Sequence, residues 1–298
     1  MAMRLSFKVW PQDALWDEMR EFWIEGDAIP AYRTGWVYDH FVPQTGWRNH
    51  DPLIDERGPC YEAWTALTYL AALTKRVRLG TLVTSITHRH PAVFAKQMTC
   101  LDHFSGGRVE VGMGSGWNEE EHTQFGIPYP PMRERFDRLE EYLDVLTALF
   151  AEHDTVSYSG RFYELEGAFC VPAVTQRPRM PLTVGGKGPK RALPIVARWA
   201  DHWNYPGGTI EKFTEARERV AELCAEGGRS IDDLDISVQH KFQDLDGFAR
   251  YANEFAAAGA KHVVVRFLPP LDPGLLADVA ERAGLEFELE APDPGAAA

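Results

Sequence analysis

Short runs of β-branched and aromatic residues alternate with longer stretches whose apolar positions recur every three or four residues, along nearly the whole chain. The first pattern suits strands buried on both faces, the second suits helices with one wet face. Eight strands are predicted: 5–10 (LSFKVW), 36–41 (WVYDHF), 78–84 (RLGTLVT), 108–115 (RVEVGMGS), 182–186 (LTVGG), 202–206 (HWNYP), 235–240 (DISVQH) and 262–267 (HVVVRF). Helical spacing covers 13–25, 60–75, 91–104, 131–152, 189–199, 209–227, 245–258 and 272–284. In the fourth of these, Phe136, Leu139, Tyr142, Leu143, Leu146 and Leu149 form the apolar stripe, while Arg135, Asp137, Arg138 and Glu140 fill the wet positions. The alternation predicts an α/β fold, a single (β/α)8 TIM barrel with an insertion before the fifth strand. Most strand runs stop on glycine, a small hydroxyl or a titratable residue, which puts candidate chemistry on the C-terminal rim.

Stop signals agree with these bounds: Ser105, Gly106 and Gly107 end the third helix, Gly227 and Gly228 the sixth, Gly259 the seventh, and prolines 91, 131 and 189 stand at helix starts. Two connections are long, 42–59 and 153–181, and the second can hold a hairpin around Ser159 and Gly160. Residues 1–290 are read as one barrel domain and 291–298, rich in Ala, Pro and Gly, as a disordered tail.

A net charge of -13 and a pI near 5.2 argue against nucleic acid or an anionic membrane as partner, since both require a basic face. No long apolar span is present, and MAMRLSFKVW runs straight into a strand pattern, so a cytoplasmic protein with a small-molecule substrate is expected. Cys60, Cys100, Cys170 and Cys224 are widely spaced and are read as reduced, structural thiols.

Four segments carry candidate chemistry. In WVYDHF, strand alternation sends one of Asp39 and His40 into the barrel mouth and the other toward a neighbouring helix; a rim histidine suits proton transfer, while the plain alternative is a loop cap and a packing residue. In VGMGSGWN, 111–118, alternating glycines admit a close approach of ligand to backbone, or merely a tight turn; Asn118 and the acidic EEEH after it break the dinucleotide fingerprint and show no clear helix start. GGKGPKR, 185–191, opens a helix at Pro189 with glycines and cations and makes the best phosphate cradle in the chain. In THRHP, His88 and His90 would face one way if extended and could chelate a metal, although the remaining ligands of a metal-dependent barrel hydrolase are missing. Aromatics crowd the rim loops, among them Trp47, Trp117, Phe125, Tyr129, Phe162, Trp203 and Tyr205, enough to sandwich a planar ring.

Taken together, WVYDHF, RLGTLVT, HPAVFAKQMTCLDHFSGGRVEVGMGSGWNEEEH and LTVGGKG with ARWADHWN resemble the bacterial-luciferase-like flavin and deazaflavin oxidoreductases, from roughly residue 3 to 270. GWNEEEH and FGIPYPPMRERFDRLEEYL are most similar to the branch assigned to coenzyme F420. The resemblance implies a homodimer and hydride transfer, or FMN-dependent oxygenation, over the C-terminal rim. It implies Asp39 and His40 beside the cofactor ring, with His40 as proton donor, Thr84 and Ser85 at the ring's polar edge, and Gly114, Ser115, Trp117 and Asn118 along its flank. Gly185, Gly186, Lys187 and Gly188 would hold the phosphate. Cations at Lys187, Lys190, Arg191 and Arg89 suit the polyglutamate tail of F420, with FMN the alternative cofactor. One departure is Trp117, which stands where deazaflavin sugar-phosphate dehydrogenases carry a glutamate. A glucose-6-phosphate-like substrate is thereby disfavoured, and a catalytically silent flavin-binding protein remains the non-enzymatic alternative.

Overall fold

The structure, a computed structural model, describes residues 3–44, 55, 57–151 and 155–282. The proposed tail and Trp47 lie outside those residues. Parallel strands β1 (Arg4–Val9), β2 (Tyr32–Val37), β3 (Arg78–Thr81), β5 (Val109–Gly114), β8 (Leu182–Gly185), β9 (His202–Tyr205), β10 (Asp235–Lys241) and β11 (His262–Phe267) pair in sequence, and β1 pairs with β11 to close an eight-stranded barrel. β3 breaks at Leu82 and Val83 and resumes as β4 (Thr84–Ser85), which also pairs with β5. Helices α1 (Trp16–Ala28), α2 (Ala63–Leu73), α3 (Pro91–Ser105), α5 (Met132–Phe150), α6 (Ala192–Trp199), α7 (Ile210–Glu226), α8 (Leu245–Ala257) and α9 (Gly274–Arg282) surround it. The insertion does form a hairpin, β6 (Val156–Ser159) against β7 (Glu164–Ala168).

Strand two lies four residues earlier than the sequence pattern predicts. Arg33 and Thr34 disguise it, because this strand lines a polar interior: the Thr34 hydroxyl donates to Glu110 and its N–H to the Ser6 hydroxyl. Gly35 is required there, since a Cβ would stand 2.6 Å from both Phe7 and Trp23. Asp39 and His40 therefore follow the strand, and the alternation argument does not apply to them.

Two regions of packing result. Outward residues such as Phe7, Val111, Trp203 and Val265 join the helices in the main core, while Trp36, Leu82 and Val264, with Val83 against them, fill the lumen. Below that plug is a buried polar storey: Nε2 of His262 pairs with the Ser6 hydroxyl at 2.7 Å, Nε2 of His202 with Ser237 at 2.7 Å, and Nε of Arg78 donates to Glu110 at 2.6 Å.

A short helix, α4 (Glu119–Phe125), was not foreseen in EEEH. Asn118 caps it by accepting the Glu121 N–H, three acids occupy its first turn, and Gly126 ends it at φ 64°. At Pro189 the reverse holds: a turn covers 189–191, and helix α6 starts at Ala192.

Candidate active site

Four segments converge on the C-terminal rim: the 38–44 loop after β2, the 86–90 loop after β4, α4 after β5, and the hairpin insertion. Asp39 and His40 both meet partners here. Asp39 accepts a two-pronged contact from Arg89, Nη1 at 2.5 Å and Nη2 at 3.2 Å, and Arg89 also pairs with Glu62. Burial alone would raise the Asp39 carboxyl; His88, 3.8 Å away, and the Arg89 guanidinium outweigh it and hold that carboxyl well below the usual carboxylate range.

His40 is held from the other side. Its Nδ1 is 2.8 Å from Oε2 of Glu121, whose other oxygen accepts the Phe41 N–H. The Glu121 side chain is fully buried, and burial pushes its carboxyl up, but His40, the Phe41 N–H and His88 together bring it below its ordinary value. A carboxylate can only accept, so Nδ1 carries the proton in the neutral ring and Nε2 is the position left to exchange one. Tyr38 and Trp117 pack edge-on against the imidazole. The Cys60 thiol donates to the His40 carbonyl and is pushed up to about 12 by burial and the carboxylates around it.

Two further residues join this cluster: Glu121, which the sequence reading did not single out, and His88, which it considered only as a metal ligand. The signal for Glu121 was present: an acid three residues after an Asn cap lies in the first helical turn and on a defined side of it. The His88 side chain is wholly buried, both its nitrogens lack a hydrogen-bond partner, and it lies between Asp39 and Glu121, 3.8 Å from each.

His88 and His90 do not form a chelating pair. His90 caps α3 by accepting the Ala92 N–H and packs on Tyr163. The donor atoms of His88, Glu121 and His122 lie within 4.8 Å of one another, but His122 gives Nδ1 to the Asn118 carbonyl at 2.5 Å and Nε2 to the Thr87 hydroxyl at 2.6 Å. Glu121 and both His122 nitrogens are thus committed within the protein, and of the three residues only His88 keeps its nitrogens without a hydrogen-bond partner.

Several predicted cofactor contacts sit differently. Thr84 is buried in the barrel wall, its hydroxyl shared with Trp64 Nε1 at 2.8 Å and Thr81 at 2.9 Å, so it does not reach the mouth. Asn118 serves as helix cap and donates to Gln44. Trp203 and Tyr205 face outward against Phe213 under α7. Ser85 bonds Thr87 beside Gly116, Ser115 is half-buried, and Trp117 is 42% exposed at the rim. Gly112 and Gly114 are glycines because of the protein, not a ligand: a Cβ at Gly112 would overlap the Thr81 carbonyl, and one at Gly114 would stand 2.6 Å from Val83. Val83, half-buried on top of the lumen cluster, thus packs against both Gly114 and Gly185.

The 185–191 segment stays at the rim beside the loop after β9. The Gly186 carbonyl accepts from Trp203 Nε1 at 2.8 Å and its N–H donates to Asn204, while Lys187 Nζ reaches across to the Gly207 carbonyl at 2.7 Å. Arg191 is paired with Asp137 and Glu140, leaving Lys187 and Lys190 as the exposed cations of this cradle.

Residues 13–247 match the profile of the luciferase-like monooxygenases. The chain belongs to that family. An uncharacterised member from Mycobacterium tuberculosis is 37% identical over 206 residues, which is 67% of this chain and 71% of the relative. The F420-dependent glucose-6-phosphate dehydrogenase of Amycolatopsis mediterranei is 31% identical over 229 residues, 72% of this chain and 62% of that enzyme. An F420-dependent secondary alcohol dehydrogenase, solved with an F420–acetone adduct, superposes with a TM-score of 0.82 at 18% identity, over 95% of this chain and 98% of that one. A long-chain alkane monooxygenase superposes at 0.78 with 14% identity, over 98% and 94%. At such identities the superpositions establish the shared barrel of the luciferase-like family.

Proposed function

We propose that this luciferase-like protein is an F420-dependent oxidoreductase that passes hydride to or from a small organic substrate at the barrel mouth. The observation that carries the reading is the His40–Glu121 pair, an imidazole held in one tautomer by a buried carboxylate at the C-terminal rim. F420-dependent dehydrogenases among the relatives support the choice of cofactor.

The mouth suits a planar ring with an anionic tail. Val83, Gly114 and Gly185 offer a surface for stacking, and beside Gly186, whose own N–H is taken by Asn204, Lys187, Gly188 and Lys190 offer backbone N–H groups and cations for a phosphate. When bound, the deazaflavin supplies the hydride acceptor or donor. The chain's own residues do the rest. His40 Nε2 gives or takes the accompanying proton, Glu121 fixes the ring and compensates its charge, and the Asp39–Arg89 pair holds the 38–44 loop to the 86–90 loop. Ser115 and Trp117 wall the mouth on the β5 side.

The same reading includes a homodimer and a cytoplasmic location. Exposed Tyr69 and Leu73 on α2 and Val93 and Phe104 on α3 support the dimer as apolar surface on neighbouring helices. For the location, the support is the acidic charge and the absence, among the described residues, of any helix long and apolar enough to cross a membrane.

Fluorescence titration of the purified protein with F420 and with FMN tests the cofactor: tight binding of F420 is expected, and tight binding of FMN alone overturns it. His40→Ala should slow hydride transfer while changing F420 affinity by less than about tenfold, or 1.4 kcal/mol. Equal rates would remove His40 from the mechanism.

A further inference from the structure

Three cations stand in one row across adjacent strands. Lys8 of β1 is the register partner of Arg266 of β11, which is in turn the partner of Lys241 of β10. Strand alternation turns all three toward the lumen, because Phe7 and Val9, Val265 and Phe267, and Val238 face the helices. Like charges side by side on paired strands repel. Water relieves little of this at Lys8, which is 7% exposed.

No carboxylate pairs with Lys8, Arg266 or Lys241 among the described residues. Lys8 Nζ meets only neutral oxygens, the Leu82 carbonyl at 2.7 Å and Gln239 Oε1 at 3.4 Å, and the Nε of Arg266 is buried with no acceptor. Several other cations around the barrel are matched by a carboxylate, Arg4 by Asp235, Arg78 by Glu110, Arg89 by Asp39 and Arg179 by Asp201, and the buried Arg108 is enclosed by five carbonyl and hydroxyl acceptor contacts. In a chain with 44 acidic and 31 basic residues, three adjoining cations without a carboxylate violate the local rule in the way ligand sites do.

The row is separate from the cradle at 185–191. Around the barrel the order is β2, β1, β11, β10, β9, β8, so the cations occupy the arc between the strand leading to His40 and the strands carrying the cradle. Gln239 and Asn204, joined at 2.5 Å, continue that arc with neutral amides.

We propose that Lys8, Arg266 and Lys241 seat an anionic group of the substrate, a carboxylate, sulfonate or phosphate. Resting on the oxidoreductase reading above, this makes the substrate class a small organic anion, aligned by its charged end while its reacting carbon lies toward His40. The anionic tail of the cofactor has the same chemistry, so the test separates the two sources.

Wild type, Lys241→Gln, Arg266→Gln and Arg266→Lys are titrated calorimetrically with inorganic phosphate and with acetate, with and without saturating F420; F420 affinity is measured for each by fluorescence. Saturable oxyanion binding is expected in wild type and persists at saturating F420, when the cradle at 185–191 is filled by the cofactor. Lys241→Gln and Arg266→Gln should each weaken it by about tenfold, a change of 1.4 kcal/mol, with F420 affinity held within about threefold. Arg266→Lys keeps the charge and should stay near wild type. Lys241 is exposed at a strand end, so its variant reports on binding even if Arg266→Gln fails to fold. Absence of saturable binding, or variants that bind like wild type, overturns the proposal. So does loss of all oxyanion binding at saturating F420, or a parallel loss of F420 affinity in the variants, either of which assigns the row to the cofactor's tail. If F420 does not bind while the oxyanion results are as expected, the cofactor reading falls and the anion row stands.

Discussion

His40 Nδ1 lies 2.8 Å from Oε2 of Glu121, and the two side chains come from strand-to-helix connections 81 residues apart. The contact decides which nitrogen of His40 is available. In wild type, 15N spectra of the imidazole should show a single neutral tautomer with the proton on Nδ1. Glu121→Ala should give a mixture of tautomers and lower the hydride-transfer rate by about 10- to 100-fold. An unchanged tautomer in the variant would deny Glu121 its positioning role.

Arg89 neutralises an Asp39 side chain that has no exposed surface. Arg89→Met should lower stability by about 3–5 kcal/mol in urea unfolding, because it leaves that carboxylate buried without its cation. Adding Asp39→Asn to the same chain should recover part of the loss. Additive losses in the double variant would mean that the pair is not coupled.

Two glycine substitutions should differ sharply. At Gly112 the new methyl meets the Thr81 carbonyl inside the barrel wall, whereas Gly126, at φ 64°, has open space around it. Gly112→Ala is expected to cost about 3 kcal/mol or to prevent folding. Gly126→Ala should cost about 1 kcal/mol, for backbone conformation alone. Similar losses at the two sites would contradict the packing described for β5.

Stability should depend on pH at both ends. Asp39, Glu110 and Asp235 have carboxyls lowered in the folded chain, burial being outweighed by His88 and Arg89, by Arg78, and by His262 respectively. The unfolded chain takes up protons first, so their stabilisation is present above about pH 4.5 and is lost as pH falls through the folded values. Lys8 is lowered from 10.5 to about 7, by burial first and Arg266 second. Between those values the unfolded chain holds the extra proton, so stability should rise with pH from 7 to 9, by at most about 1.4 kcal/mol per pH unit. Thermal melts of wild type and Lys8→Met check this: the variant should lose the alkaline rise and keep the acid limb.

Most of the barrel was legible in the sequence because seven of its strands are apolar on the helix-facing side, and that alternation survives in LSFKVW, RVEVGMGS and HVVVRF. β2 was misplaced because its inward residues serve a polar lumen, so Arg33 and Thr34 look like loop. Asp39, His40 and the glycine-lysine cradle were singled out from their position near strand ends, and the structure places all three at the C-terminal rim. Glu121 was not singled out, and His88 was read only as a chelating partner of His90, because their placement depends on a seven-residue helix and on a loop fold that bring them within reach of side chains 33 to 81 positions away. Thr84 was misassigned for a related reason: a strand-end hydroxyl can face the helix layer, and here the Trp64 indole claims it.

The polar storey at the base of the lumen has a bearing on how this barrel can be assembled. Ser6 and His262, 256 positions apart, satisfy each other, as do Ser237 and His202 across neighbouring strands. A fragment ending before β11 would take from Ser6 its imidazole partner and leave the pairing edges of β1 and β10 open. Half of this cylinder therefore has no comfortable existence of its own, and the first and last strands must meet before either end of the polypeptide is at rest.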